Sequence, residues 1–97
     1  MVTTTAILMG ELRSLAGTRE VRATLPTGST VRELIHWLAS SYGQAFARRV
    51  MTSEGSLQPT VAVFLNGQDL RELGGLEAEL VDGQVQLVIL PVFEGGD

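Results

Sequence analysis

Few residues of this 97-residue chain could do chemistry, and the best placed lie at its end, Pro91-Val92-Phe93-Glu94-Gly95-Gly96-Asp97. There is no cysteine, which excludes a thiolate nucleophile, a thiolate metal site and a disulfide scaffold. All seven basic residues are arginine, so no side-chain amine is present to attack an activated acyl group on the same chain. The single histidine, His36, falls on the polar side of a helical wheel and has no hydroxyl or carboxylate paired with it in sequence. Glu72, Glu77, Glu79 and Asp82 follow no calcium-loop pattern and read as a solvated face, so no metal site is expected. Gly74-Gly75 opens no phosphate-binding motif and reads as a turn. What remains is a carboxylate at the end of a tail with two adjacent glycines, with Asp97 one residue beyond them. Glycine-rich termini are also common where they have no function.

The elements that must carry this tail follow from the pattern of apolar residues. Thr3 to Met9 is β-branched and apolar, hence a strand. Leu12 and Leu15 suggest one helical turn closing on Gly17. Arg19 to Leu25 alternates as a half-buried strand, and the short gap before it suggests an antiparallel hairpin. Thr30-Val31-Arg32-Glu33 fits a capping box. Val31, Leu34, Ile35, Leu38, Ala39 and Tyr42 then form one apolar helical face, ending at Gly43. Trp37 sits at the edge of that stripe and should be half-buried.

Residues 44–59 read as a long connection with a short helix around 45–50, pinned by Phe46, Val50, Met51 and Leu57. Val61 to Leu65 is continuously apolar and predicts a strand covered for most of its length. Asn66-Gly67 is a turn signal, residues 70–80 are irregular, and Gln84 to Leu90 is the last strand, with Pro91 expected to stop it. The simplest packing is an α+β layer: a mixed sheet of four or five strands, one main helix across it, and the first and last strands side by side in the middle. This is the β-grasp arrangement. Residues 1–90 are expected to be one domain and 91–97 a flexible diglycine tail.

The formal charge of −4 argues against nucleic acid as a partner. No run approaches a membrane span and the N-terminus has no secretory pattern, so a cytoplasmic protein is expected.

Ile7-Leu8-Met9-Gly10-Glu11-Leu12-Arg13-Ser14-Leu15-Ala16-Gly17, Phe64-Leu65-Asn66-Gly67-Gln68-Asp69-Leu70-Arg71, the closing stretch through Ile89-Leu90-Pro91-Val92, and Gly95-Gly96 together resemble the MoaD/ThiS ubiquitin-like sulfur carriers. The resemblance implies a carrier, not an enzyme, and no bound cofactor. In that family a ubiquitin-activating-type adenylyltransferase uses ATP and magnesium to adenylate the terminal glycine. Sulfur then displaces AMP, and a sulfur-accepting synthase subunit takes the thiocarboxylate sulfur. The reactive residue here would be Gly96, preceded by Gly95.

The favoured pathway is molybdopterin synthesis. Cysteine or another sulfur pathway, or a modifier forming isopeptides with lysines, is the alternative. Pro91 would direct the tail off the sheet, Val92 and Phe93 would anchor it in the partner, and Phe64 and Val88 would belong to an exposed apolar partner-binding patch. Glycine lets the backbone lie extended in a narrow channel. Asp97 departs from the family pattern, because its Cβ and extra carboxylate oppose entry to a channel that holds triphosphate. A protease that removes Asp97 would therefore precede activation. Intact-mass measurement on protein from its own cell is expected to find chains ending at Gly96; a mature population retaining Asp97 overturns this.

Overall fold

Alternation of buried and exposed residues builds a sheet that is dry on one side only. The computed structural model describes residues 1–81 and 83–92. β1 (Val2–Leu8) buries Val2, Thr4, Ala6 and Leu8. Its buried hydroxyl is satisfied, since Thr4 Oγ1 donates to the Ala23 carbonyl at 2.8 Å. α1 (Glu11–Ala16) follows and closes on Gly17, whose left-handed conformation (φ 77°, ψ 9°) suits glycine. β2 (Glu20–Leu25) returns antiparallel to β1 and buries Val21, Ala23 and Leu25.

α2 (Val31–Tyr42) begins at the expected capping box: the Glu33 amide donates to Thr30 Oγ1 at 3.3 Å, and the Thr30 amide donates to Glu33 Oε1 at 2.8 Å. Its buried stripe is Val31, Leu34, Ile35 and Leu38. Trp37, expected to be half-buried at the edge of that stripe, is exposed, with 39% of its surface open to solvent. Gly43 separates it from α3 (Gln44–Val50), the short helix expected there, which buries Phe46 and Val50. β3 (Val61–Leu65) and the two-residue β4 (Gln68–Asp69) form a hairpin across Asn66-Gly67, then two 3-10 turns span Leu70–Leu73 and Gly75–Glu77. β5 (Gly83–Pro91) ends the described fold.

The strand order is β2-β1-β5-β3-β4, with β1 and β5 parallel at the centre and every other pair antiparallel. This is the mixed β-grasp sheet expected from the sequence. Cross-strand neighbours Val21, Ala6, Leu87 and Leu65 form one buried row, and Leu8, Ile89 and Val63 form the next. Both rows join the buried stripe of α2 in a single core. The two long connections are tied to α2 through Arg32, whose Nε donates to Glu77 at 2.6 Å and whose Nη1 donates to the Gly55 carbonyl at 2.7 Å.

Two expectations about strands need correction. β3 is not covered on both faces: Val63 and Leu65 are buried while Ala62 and Phe64 are only half-buried, because no second layer covers the outer face of the sheet. Nor does Pro91 stop β5, which runs through Pro91 opposite Val61 and carries the Val92 amide to the Thr60 carbonyl at 2.8 Å. Pro91 is tolerated because its pair with Val61 is one that exchanges no hydrogen bonds, and on the β1 side, where its nitrogen faces, the Met9 carbonyl accepts from the Leu12 amide at 3.2 Å.

Asn66 shows how the β3 hairpin is pinned. Its φ of 50° lies in the left-handed region, where asparagine is better tolerated than most residues. Its backbone amide donates to the Gln86 carbonyl and its Oδ1 accepts from the Gln86 amide, both at 2.8 Å, so the side chain extends the β3–β5 ladder by one rung. Asn66→Ala is expected to lower stability by about 1–2 kcal/mol. Asn66→Gly should recover only the backbone part of that loss. Urea midpoints at unchanged m-value would check both.

Candidate functional site

The outer face of the sheet is the larger of two features that bear on function. Register places Glu20, Ile7, Val88, Phe64 and Asp69 in one row across all the strands, each directly opposite the next. Ala62 and Leu90 pair in the next row. The apolar members, Ile7, Val88, Phe64, Ala62 and Leu90, are all half-buried, so the centre of this face is an apolar patch open to a partner.

Both ends of the patch are charged. At the β2 edge Arg22 lies 3.4 Å from Glu20. At the β4 edge Arg71 grips Asp69, with Nη2 to Oδ2 at 2.8 Å and Nε to Oδ1 at 3.2 Å, and its backbone amide adds a third bond at 2.9 Å. The side-chain bond from Arg71, then the backbone bond, hold the Asp69 carboxyl below the ordinary aspartate range.

The second feature is the place where the chain leaves the sheet. On the β1 side the last bond to β5 runs from the Met9 amide to the Ile89 carbonyl at 3.2 Å, and β1 then turns at Gly10 into α1. On the β3 side the last bond is Val92 to Thr60. The next residue able to continue that ladder is Gln58, and it is already engaged. Its amide donates to the Val50 carbonyl at 2.8 Å, and its carbonyl accepts from Val61 at 3.2 Å. Among the described residues, β5 is therefore bonded to β1 as far as Ile89 and to β3 as far as Val92. A cleft of about 220 Å³ flanks this point, lined by Leu12, Thr60, Val61, Pro91 and Val92, with the Glu11–Arg49 ion pair (2.9 Å) on its rim.

Of the residues singled out in the sequence, Phe64 and Val88 are direct cross-strand neighbours on the outer face. Pro91 and Val92 meet at the exit of β5, with Val92 41% exposed. Phe93, Gly95, Gly96 and Asp97 lie outside the described residues. His36 is exposed. Glu77, read as part of a solvated acidic face, is bonded to Arg32. The sequence reading missed Ile7, Ala62 and Leu90. Alternation against the buried set Thr4, Ala6 and Leu8 would have exposed Ile7, whereas Ala62 sits in a continuous apolar run that hides its face. No helix among the described residues is long and apolar enough to cross a membrane.

The β-grasp domain, with its parallel central pair and half-exposed apolar sheet face, is that of the small ubiquitin-like carrier and modifier proteins. The chain belongs to the ThiS family, whose model matches residues 6–96. It is 33% identical over 67 residues to an Archaeoglobus fulgidus protein named "Putative sulfur carrier protein", a match covering 69% of this chain and 74% of that one. It is 36% identical to a chain of the Amycolatopsis orientalis BexX/CysO complex, with TM-score 0.76, covering 96% of this chain and 99% of that one. The small archaeal modifier protein 1 of Methanosarcina acetivorans is 29% identical with TM-score 0.81, over 99% of this chain and 98% of that one.

The Asp69–Arg71 clamp makes a prediction about pH. A carboxyl whose folded pKa is depressed contributes stability that is complete above the unfolded pKa and is lost as pH falls through the folded value. Arg71→Ala is expected to move the Asp69 midpoint upward in a carbon-13 NMR titration. An unmoved midpoint would show that the clamp does not form in solution.

Proposed function

We propose that this chain carries sulfur as a thiocarboxylate on Gly96. The observation that carries the reading is the exit of β5. The last described strand lies at the centre of the sheet, is bonded on both edges up to Val92, and shares the sheet with an apolar outer face suited to a partner. Membership in the ThiS family supports it.

The chemistry is an exchange at one carbonyl. The Gly96 carboxylate attacks the α-phosphate of ATP on an adenylyltransferase, and pyrophosphate leaves, with magnesium on the partner offsetting phosphate charge. Hydrosulfide, or a donor equivalent to it, then forms the C–S bond while the C–O bond to AMP breaks. This chain supplies no base or nucleophile for either step. It supplies the tail and the Ile7–Val88–Phe64 face that would dock the enzyme. Whatever follows Gly96, beginning with Asp97, must be removed first, and a protease is the proposed agent.

The acceptor expected from the sequence is the molybdopterin precursor, reached through a synthase subunit; cysteine synthesis is the competing destination. The likeness to an archaeal modifier protein favours one further reading, in which the Gly96 adenylate acylates lysines of other proteins.

Chain ending at Gly96, incubated with the source cell's adenylyltransferase, ATP, magnesium and sulfide, is expected to gain the mass of one sulfur-for-oxygen exchange. Lysine conjugates without that gain would favour the modifier. Val88→Arg should raise the KM for the adenylyltransferase about tenfold, equivalent to ~1.4 kcal/mol of docking energy, with the unfolding temperature little changed. An unaltered KM would remove the sheet face from the docking surface.

A further inference from the structure

We infer that Gly10 is a positioning residue for the reactive tail, setting the line along which the chain leaves the fold at Pro91 and Val92. The inference rests on the proposed role of Gly96.

Gly10 lies outside the tail, at the switch from β1 to α1, with φ 60° and ψ −132°. That backbone region is closed to L side chains by steric clash and open to glycine. A second constraint comes from space. A Cβ at residue 10 would sit 2.7 Å from Pro91 Cγ and 3.2 Å from Pro91 Cδ. The absent side chain is thus what allows the Pro91 ring to lie against the backbone of Gly10.

Neither partner has room to yield without consequence. Residue 10 is held on one side by the Met9 amide bonded to Ile89, and on the other by its own carbonyl, which accepts from the Arg13 amide at 3.1 Å. Pro91 is fixed in φ by its ring. It is also placed by its register with Val61 and by the bond from Val92 to Thr60. Pushing the ring away from residue 10 must turn the Pro91–Val92 peptide and strain that last bond. The chain would then leave the sheet on a different line. Displacement of a reacting group by about 1 Å costs on the order of 100-fold in rate when its geometry is set from a distance.

A double-variant comparison isolates the contact, because alanine at residue 91 has neither Cγ nor Cδ. Chains ending at Gly96 would be prepared as the unaltered sequence, Gly10→Ala, Pro91→Ala and the pair together. Each would be assayed for ATP–pyrophosphate exchange with the source cell's adenylyltransferase. Gly10→Ala is expected to lower kcat/KM at least tenfold when Pro91 is present and less than about threefold when residue 91 is alanine. The backbone strain of alanine at residue 10 is the same in both backgrounds but the clash with the ring is not, so each kcat/KM is referred to the folded fraction of that variant, measured by thermal unfolding, and a loss that vanishes on this correction overturns the inference.

Equal losses in the two backgrounds, or no loss in either, overturn the inference. Should Gly10→Ala unfold alone, the pair is compared with Pro91→Ala: equal efficiency supports the inference and a tenfold loss overturns it. If the unaltered Gly96-ended chain is not activated, it is the proposed function that fails. The Val92 amide resonance in the same set then reads the inference directly. A shift caused by Gly10→Ala and reversed in the pair supports it, and an unshifted resonance overturns it.

Discussion

Parallel pairing of β1 with β5 is the interaction on which the rest of the structure depends. A parallel pair cannot be closed by a hairpin, so everything between the two strands is crossover. That crossover has to return the chain to the middle of the sheet, flanked on both sides. β5 is consequently bonded along both edges, while its end is decided by where its two neighbours stop. β1 stops because the chain turns at Gly10. β3 has no extension because Gln58, the next candidate, has spent its amide on Val50 and its carbonyl on Val61. Where the described pairing of β5 ends is thus a property of β1, β3 and the connection before β3 as well as of Pro91.

The same arrangement divides the labour between the two faces of the sheet. The inner face and α2 share a core that includes Phe46 from the connection. The outer face keeps apolar side chains half in water, an arrangement that suits surface held for a partner. Its charged ends are self-paired within the chain, Glu20 with Arg22 and Asp69 with Arg71. A partner therefore meets a neutral rim around an apolar centre, and discrimination would rest on shape as much as on charge.

Much of this was legible in the sequence where a local rule sufficed. The capping box at Thr30 and Glu33, the stripe of α2 and the alternation of β2 each depend on neighbours in sequence, and each is found as expected. Features set by distant partners were not legible. Pro91 looked like a stop because a missing donor is a local fact, while the irrelevance of that donor depends on Met9 of the neighbouring strand end, whose carbonyl accepts from Leu12. Arg32, noted in sequence only as part of the capping-box stretch, ties both long connections to α2. Nothing in sequence brings Gly10 near Pro91, and their contact is seen only in the fold. For the candidate site, Phe64 and Val88 were found as apolar residues in strands, but their direct opposition is a matter of register that no single strand reveals.

The bonding of β5 along both edges has a mechanical side. A pull on the chain beyond Val92, as the proposed function would entail, would be transmitted to β5. The ladders to β1 and β3 run side by side with its axis, so a load along that axis is shared across many hydrogen bonds in shear and does not open them one at a time. An edge strand, bonded on one side only, would have half that resistance. Placing the terminal strand at the centre of the sheet thus lets the chain be gripped and pulled by its end while the domain behind it stays folded.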